Sequence, residues 1–421
     1  MPSDTGRILR SRVVVPVVQP PIDNGAVFLC QGRIQKVGRW SDLRELSTNV
    51  DDLGEGVLLP GLVNSHCHLD FTNLAGVIPK PDSFAAWVKQ ILGLSAQWTE
   101  SQWTDSWRKG LRQLQINGVT TVANIESRWN LLGSLRSELP LRVISFLEMT
   151  GLIAGKTAEQ LIDEAMTLRS QLLDSGEIGL SPHSVYATVR GLLEETAKVV
   201  RSANLRTTIH LSESKDEAEM FGSASGALYD ALSQMGRDMS DCGDTSPTSL
   251  VEKANLLRSG TLAVHGNYLN ENDMDLLADT ESSVVHCPSC HAYFDHQDFP
   301  YDELQSRGVN IALGTDSLAS VVADEWGAYA LNMFTEMRRF ASAFPDVSSD
   351  KIFKMATSNG ADALGLTGVV GTMKEGADAD LVFVKGQAAV KEAVDWLVHD
   401  VRYTSRVMIG GNWSPTDLTN E

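Results

Sequence analysis

The chain has 421 residues, 43% of them apolar, and a formal net charge of −19 from 54 acidic and 35 basic residues. This length predicts one barrel-sized unit together with a smaller one. The negative charge argues against nucleic acid or an anionic membrane as a partner. The first thirty residues contain no apolar run of signal-peptide length, and no later run approaches a membrane span. Because five cysteines are an odd number for a disulfide framework, we expect a cytoplasmic protein.

Strand-like runs begin and end the chain, and the middle alternates short apolar runs with helical segments. The N-terminal runs lie at 8–18 and 26–37, and the C-terminal runs at 379–384 and 402–409. The apolar runs of the middle region lie at 57–63, 119–125, 141–148, 178–183, 206–210, 261–265, 283–286 and 309–314. The segments between them show helical periodicity, for example at 103–115, 158–173 and 192–202.

Eight strands separated by helices predict a (β/α)8 TIM-like barrel. The two β-rich ends are expected to pair into one small composite β-sandwich domain beside it. We therefore predict an α/β fold in which 57–368 is the barrel, and 1–56 and 369–421 are the two parts of the β domain. The polar stretch 236–248 is expected to be a linker.

Histidines and one aspartate follow several of the predicted barrel strands. His66 and His68 are two residues apart at the end of the first strand, so both side chains of an extended chain point to one side. The others are found after strands four, five, six and eight, namely His183, His210, His265 and Asp316. Barrel active sites lie at this end of the strands, and three imidazoles with one carboxylate suit catalytic Zn²⁺ or Fe²⁺. Each residue alone could instead cap a strand through a hydrogen bond.

This order of residues resembles the amidohydrolase superfamily over nearly the whole chain. GRIQKVG (32–38) is similar to its N-terminal sheet strand, and VVGTMKEGADADLVFV (369–384) to its C-terminal return. Four shorter segments resemble the aminohydrolase and chlorohydrolase branch, which includes adenosylhomocysteine, guanine and aminofutalosine deaminases. These segments are SPHSVY (181–186), HLSES (210–214), VHGNYL (264–269) and GTDSLAS (314–320).

The resemblance implies one divalent ion, zinc or alternatively Fe²⁺, held by His66, His68, His210 and Asp316. Two-metal members carry a carboxylated lysine at strand four, where this chain has Ser-Pro-His at 181–183. Such an ion lowers the pKa of a bound water to about 7.

The resemblance also assigns catalytic roles. Asp316 would hold the hydroxide and move its proton, Glu213 would protonate a ring nitrogen, and His265 would stabilise the incoming oxygen. The alternative for Glu213 is a solvated carboxylate in the acidic run at 213–219.

The substrate-binding residues are less clearly marked. By resemblance His183 contacts the substrate, although it could be a structural cap, and Glu148 is expected to face the pocket. Phe84 and Trp87 would form an aromatic wall for a flat heterocycle, or would simply pack a helix onto the barrel. The chain departs from its relatives at Val321, where Asn often stands, and in the strand-seven loop at 287–291.

That loop reads Cys287-Pro-Ser-Cys290-His291, a literal haem-attachment pattern, where relatives tend to have Ser and Asn at the last two positions. Haem attachment requires export, which the lack of a signal-like segment argues against. A second zinc would need further ligands such as His286 and His296, and we do not expect one. Cys67 is expected to be a small buried residue that faces away from the metal.

The predicted function is metal-dependent hydrolytic deamination of an aminated heterocycle. A 6-aminopurine nucleoside is the expected substrate, with aminofutalosine first, then adenosylhomocysteine, methylthioadenosine and adenosine, and with pterins and guanine behind. One alternative is removal of chloride from an s-triazine-like ring, and another is a catalytically silent assembly protein. A homodimer is left open.

Overall fold

The strands of the computed structural model, which describes residues 6–136, 139, 141–151, 155–172 and 176–415, form two sheets. The first sheet comes from both ends of the chain and contains β1 Arg7–Val14, β2 Ile22–Cys30, β3 Arg33–Arg39, β4 Val50–Asp52, β5 Gly56–Pro60, β14 Leu381–Lys385, β15 Arg406–Ile409 and β16 Asn412–Trp413. The second contains β6 Leu62–Cys67, β7 Val119–Glu126, β8 Arg142–Met149, β9 Ile178–Pro182, β10 Thr207–Leu211, β11 Thr261–His265, β12 Ser283–His286 and β13 Ile311–Leu313.

The helices lie mostly between the strands of the second sheet. They are α1 Trp40–Leu43, α2 Phe84–Ser95, α3 Glu100–Ile116, α4 Leu132–Leu135, α5 Ala158–Gln171, α6 Leu192–Ser202, α7 Lys215–Ser223, α8 Ala227–Gln234, α9 Pro247–Lys253, α10 Glu271–Asp279, α11 Pro288–Phe294, α12 Tyr301–Ser306, α13 Met333–Ala343, α14 Ser349–Met355, α15 Ser358–Ala363 and α16 Ala393–His399. No helix in the described part of the chain is both long and apolar enough to cross a membrane.

The second sheet is a barrel of parallel strands, which confirms the predicted TIM-like fold. Strands β6 to β13 pair in chain order. Main-chain bonds close the circle, because the amides of Thr315 and Asp316 donate to the carbonyl oxygen of His66 at 3.1 and 3.2 Å. The side chain of Asn64 adds to this junction by donating to the Thr315 hydroxyl at 2.7 Å. The first and last strands are thereby fixed to each other at the end where the candidate ligands lie.

The terminal strands form one composite sheet, as the two β-rich ends predicted. β5 joins the two ends, since it pairs in parallel with β1 and antiparallel with β14. The far edge returns to the same region, where the amide of Ile34 donates to the carbonyl of Ala377 at 2.8 Å. Leu9, Val27 and Met408 share one buried cluster, so the N-terminal and C-terminal strands pack together.

The apolar run at 57–63 differs from its prediction as a single strand. Its first part is β5 in the terminal sheet, and its last part begins β6 in the barrel. Gly61 lies between them against the Thr120 side chain, in a space that a Cβ atom would fill. The division of the chain at 57 stays a prediction, and the membership of β5 favours a junction closer to Gly61.

Amphipathic helices cover the barrel where the sequence periodicity placed them. In α3, Thr99 and Gln102 form a reciprocal capping box, and Trp103, Trp107 and Leu111 repeat every four residues on the buried face. α6 spans the predicted 192–202. α5 spans most of 158–173, whose last residue lies outside the described ranges.

The stretch at 236–248 was expected to be a linker, but it packs against the barrel. The buried Arg237 guanidinium donates to the carbonyls of Val185 and Tyr186, both at 2.9 Å. It also donates to both carboxylate oxygens of Asp241, at 2.7 and 2.8 Å. This arginine therefore ties the segment to the loop after β9.

A prediction about barrel closure concerns Gly314. A Cβ atom there would lie 2.9 Å from both the Cβ and the carbonyl oxygen of His66. Gly314→Ala should therefore lower the free energy of unfolding by about 1–3 kcal/mol, because backbone must move to admit the methyl group. The control is Gly133→Ala in α4, where a Cβ atom would meet nothing within 4 Å. Urea unfolding measures both, and equal midpoints for the two variants would contradict this account of closure.

Candidate active site

The barrel brings the predicted site residues to one end of its strands. His66 lies in β6 and His68 directly after it, His210 in β10, and His265 at the end of β11. Asp316 follows β13, and His183 follows β9. All of these side chains are buried except that of His183, which is partly exposed. The structure thus brings these residues together at the strand ends, as the sequence analysis expected.

Three imidazoles form a group that could hold a cation. The nearest ring nitrogens of His66, His68 and His210 all lie within 4.8 Å of one another. The Nε2 atoms of His68 and His210 are 3.1 Å apart. Burial first, and neighbouring histidines second, hold the pKa of both His68 and His210 well below the ordinary value. The His68 and His210 rings are therefore held in the neutral form, which is the state that ligates a metal.

The tautomer of His210 is set by the strand beside it. Its Nδ1 donates to the main-chain carbonyl of His183 at 2.8 Å, so its Nε2 carries the lone pair that faces His68. A cation between the Nε2 atoms of His68 and His210 could accept both lone pairs. The donor set of these residues therefore fits a divalent metal ion.

Asp316 adds a carboxylate from the strand next to β6. Its Oδ1 lies 3.4 Å from Nε2 of His66 and 3.6 Å from Nε2 of His68. Burial alone would raise its pKa, but the surrounding imidazoles of His66, His265 and His68 outweigh burial and hold it well below its usual range. The backbone of Asp316 has φ +53° and that of His265 φ +77°, a left-handed region that non-glycine residues seldom adopt. Such strain at a strand end is typical of a functional site.

Glu213 and His265 form a second pair in the same cavity. Nε2 of His265 lies 3.5 Å from Oε1 of Glu213, and both side chains are buried. Burial, followed by Asp316 and Glu217, raises the pKa of Glu213 well above its usual value. Burial lowers the pKa of His265 to about 3. Burial thus favours the protonated form of Glu213 and the neutral form of His265.

Two hydrogen bonds hold the Glu213 backbone in place. Its amide donates to the Glu217 carboxylate at 2.7 Å, and its carbonyl accepts from Nδ2 of Asn267 at 3.0 Å. The Glu213 side chain is 6% exposed, so it is not a solvated member of the acidic run. Of the two readings that the sequence left open, burial favours a side chain that faces the site.

The four predicted substrate contacts, Phe84, Trp87, Glu148 and His183, all line one cavity of about 270 Å³ above the histidines. The Phe84 and Trp87 rings lie 5.7 Å apart, and the Trp87 indole N–H donates to the carbonyl of Ala319 at 3.1 Å. Nε2 of His183 lies 3.8 Å from Oε1 of Glu148. Burial lowers the pKa of His183 to about 4 and raises that of Glu148 to about 7. Their roles toward a substrate stay predictions.

Sequence reasoning missed the far wall of this cavity. Tyr186 from the loop after β9 lines it, together with Leu228, Leu232 and Met235 from α8 and its end. Tyr186 ends the SPHSVY motif, which gives no sign that its side chain lines the cavity. No motif marks the three positions of α8 and its end, because an amphipathic helix that packs on a core shows the same spacing. Only the docking of α8 beside α2 reveals them.

The position of the cysteine motif bears on the possible second metal site. Cys287 and Cys290 are both buried at the start of α11. In the described part of the chain they form no cation-sized group with His286 and His296, and Cys290 instead lies within 4.8 Å of Glu213 and His265. Neither His291 nor Val321, the other departures from the relatives, lines the cavity. Cys67 packs in the buried core cluster beside the barrel.

The amidohydrolase family model matches residues 57–413, and the chain belongs to the amidohydrolase family, whose members are metal-dependent. A relative from Pyrococcus furiosus named 5-methylthioadenosine/S-adenosylhomocysteine deaminase is 27% identical, over 90% of this chain and 86% of its own. An adenosine deaminase from Xanthomonas campestris with bound zinc shares the fold with a TM-score of 0.80 at 23% identity, over 97% of this chain and 92% of that one. Helicobacter pylori aminofutalosine deaminase in complex with methylthio-coformycin aligns with a TM-score of 0.84 at 18% identity, over 97% of this chain and 100% of that one.

A prediction follows about metal content. The purified protein should contain about one divalent ion per chain, and His66→Ala, His210→Ala and Asp316→Ala should each lose or greatly weaken it, because the ligand group has no spare members. Cys287→Ser and Cys290→Ser are the controls and should keep the ion. Elemental analysis after gel filtration measures this. Two ions per chain, or full metal occupancy in the ligand variants, would contradict a single-ion site at these residues.

Proposed function

We propose that the protein is a metal-dependent hydrolytic deaminase that releases ammonia from an adenine nucleoside. The observation that carries the proposal is the buried Glu213–His265 pair, which shares one cavity with His68, His210 and Asp316. A proton donor and a nucleophile site in one cavity match the needs of addition to a ring carbon. The Pyrococcus furiosus relative, a 5-methylthioadenosine/S-adenosylhomocysteine deaminase by name, supports the same class.

The residues that would hold the ion are His66, His68, His210 and Asp316, with zinc first and Fe²⁺ second by donor type. When bound, such an ion acidifies a water molecule and so supplies hydroxide at neutral pH. The protein supplies neutral imidazoles, because burial keeps the pKa of His68 and His210 low. It also supplies a carboxylate, Asp316, that can accept a proton at Oδ1 or Oδ2.

The proton on Glu213 is the reagent that the ring needs. Transfer of this proton to a ring nitrogen of the purine leaves the adjacent amino-bearing carbon electrophilic. Oxygen then adds to that carbon while Asp316 takes the proton of the attacking water, and Nε2 of His265 can hydrogen-bond the incoming oxygen. Asp316 then passes the proton it took from water to the amino nitrogen, so that the carbon–nitrogen bond breaks and ammonia leaves. The hydroxyl group on the ring carbon gives its proton back to Glu213 as the carbonyl forms, which restores both carboxyl groups.

The surroundings of the cavity favour a planar substrate with polar groups at one end. Phe84 and Trp87 provide aromatic faces for stacking on a purine. Glu148 and His183 provide an acceptor and a donor on the neighbouring wall, which suits sugar hydroxyls. We propose these contacts together with the substrate class.

A substitution of Glu213 separates chemistry from metal binding. Glu213→Gln should keep the ion but lose about 10²-fold or more in turnover, because an amide cannot deliver the proton. Glu219→Gln in the same acidic run is the control, since that carboxylate is partly exposed and pairs with Lys215 at 3.4 Å. Steady-state rates and metal analysis are measured together. Normal turnover in Glu213→Gln would remove the main support for a deaminase.

The substrate class is tested with a panel of aminated rings. Adenosine, methylthioadenosine, adenosylhomocysteine and aminofutalosine should release ammonia, with the accompanying ultraviolet shift, well above guanine and pterins. An ammonia assay on the metal-loaded full-length protein decides this. Chloride release from a chlorotriazine without any ammonia from the nucleosides would favour dehalogenation instead, and inactivity on every compound would favour a silent protein.

A further inference from the structure

The mouth of the active-site cavity is apolar. It is built by Ile91 and Leu92 of α2 and by Leu228, Leu232 and Met235 of α8 and its end, which we call the apolar mouth. Leu92 is 46% exposed and Met235 is 59% exposed, so water contacts large apolar side chains at this point. Exposed apolar side chains that rim a cavity are typical of a ligand-binding surface. α2 is also tied to α7, where the amide of Ala85 donates to the Asp216 carboxylate at 3.0 Å.

Within the described ranges, the residues that line the cavity include no lysine or arginine. The ionisable lining consists of histidines, Tyr186 and the carboxyl groups of Glu148, Glu213 and Asp316. An anionic substituent on a bound ligand would therefore find no cationic side chain along this wall.

Lys89 of α2 is exposed and does not line the cavity. Three other cations of the neighbouring elements are engaged elsewhere. Arg237 donates to Asp241 and to two main-chain carbonyls. The Arg128 guanidinium lies 4.0 Å from the centre of the Trp103 ring. Lys215, at the start of α7, pairs with Glu219. Moving any of them into the cavity would break contacts that the structure makes.

We propose that the apolar mouth selects nucleosides whose 5′ substituent is uncharged and apolar, such as an alkylthio group, over those whose substituent carries a carboxylate. This rests on the proposed function, since it assumes that the ring lies over the histidines and the substituent points outward between α2 and α8. It places methylthioadenosine ahead of adenosylhomocysteine and of aminofutalosine, and so reverses the order that the sequence suggested.

The physical reason is the difference in solvation of the two substituents. A methylthio group gains by leaving water for Ile91, Leu228 and Leu232. A carboxylate in the same place loses water and gains no charged or hydrogen-bonding partner, which disfavours it strongly.

The first test compares two substrates on the metal-loaded full-length protein. Methylthioadenosine should have a kcat/KM roughly 10²-fold above that of adenosylhomocysteine, because the carboxylate of adenosylhomocysteine would lose water without gaining a partner. Equal values, or a preference for adenosylhomocysteine, would overturn the inference while leaving the deaminase intact. Absence of ammonia from every adenine nucleoside would overturn the proposed function and this inference with it.

The second test adds a cation to the apolar mouth. Leu92→Lys should raise the ratio of kcat/KM for adenosylhomocysteine to that for methylthioadenosine about 10-fold, since the new ammonium can pair with the carboxylate. Leu46→Lys is the matched control, because Leu46 has the same 46% exposure but lies in the terminal β region away from the cavity. It introduces the same charge and should leave the ratio unchanged. An unchanged ratio in Leu92→Lys, or the same rise in both variants, would overturn the role of the apolar mouth.

Discussion

Closure of the barrel at one carbonyl group is the constraint on which the rest of the structure depends. The main chain at Thr315 and Asp316 hydrogen-bonds to the carbonyl of His66, which joins the last strand to the first. The same bonds bring the Asp316 carboxylate opposite His66 and His68. The approach is so close that the chain needs glycine at 314. The same segment therefore closes the barrel and places the Asp316 carboxylate, so a change in one affects the other.

Burial then decides which groups carry protons. Removal from water favours the neutral form of every group in the cavity, so His68, His210 and His265 lose their protons and Glu213 keeps its own. Asp316 is the exception, because the histidines that surround it outweigh the cost of burial. The result is a carboxylate and a carboxylic acid in one cavity, which is the division of roles that acid–base chemistry on a ring requires.

The covering helices set what can enter rather than what reacts. α2 presents its aromatic residues toward the barrel and its leucines toward the mouth, and α8 faces it with further apolar side chains. Among the described residues that line the cavity, neither helix contributes a cation for a charged substituent. Reaction chemistry thus belongs to the strand ends, and selectivity to two helices in the loops that follow β6 and β10.

The sequence alone determined the barrel, the composite terminal sheet and the family, because strand-length apolar runs alternate with helical periodicity and local motifs mark the strand ends. It also marked His66, His68, His210 and Asp316, since residues at the carboxyl ends of parallel strands must converge.

Tertiary structure decided what depends on contacts between distant segments. It assigned β5 to the terminal sheet, buried the Glu213 side chain beside His265, and brought Cys290 next to this pair. It also set the tautomer of His210 through the carbonyl of His183, and it built the apolar mouth from α2 and α8. Spacing along the chain cannot reveal these features, because each one joins segments whose separation in sequence bears no relation to their distance in space.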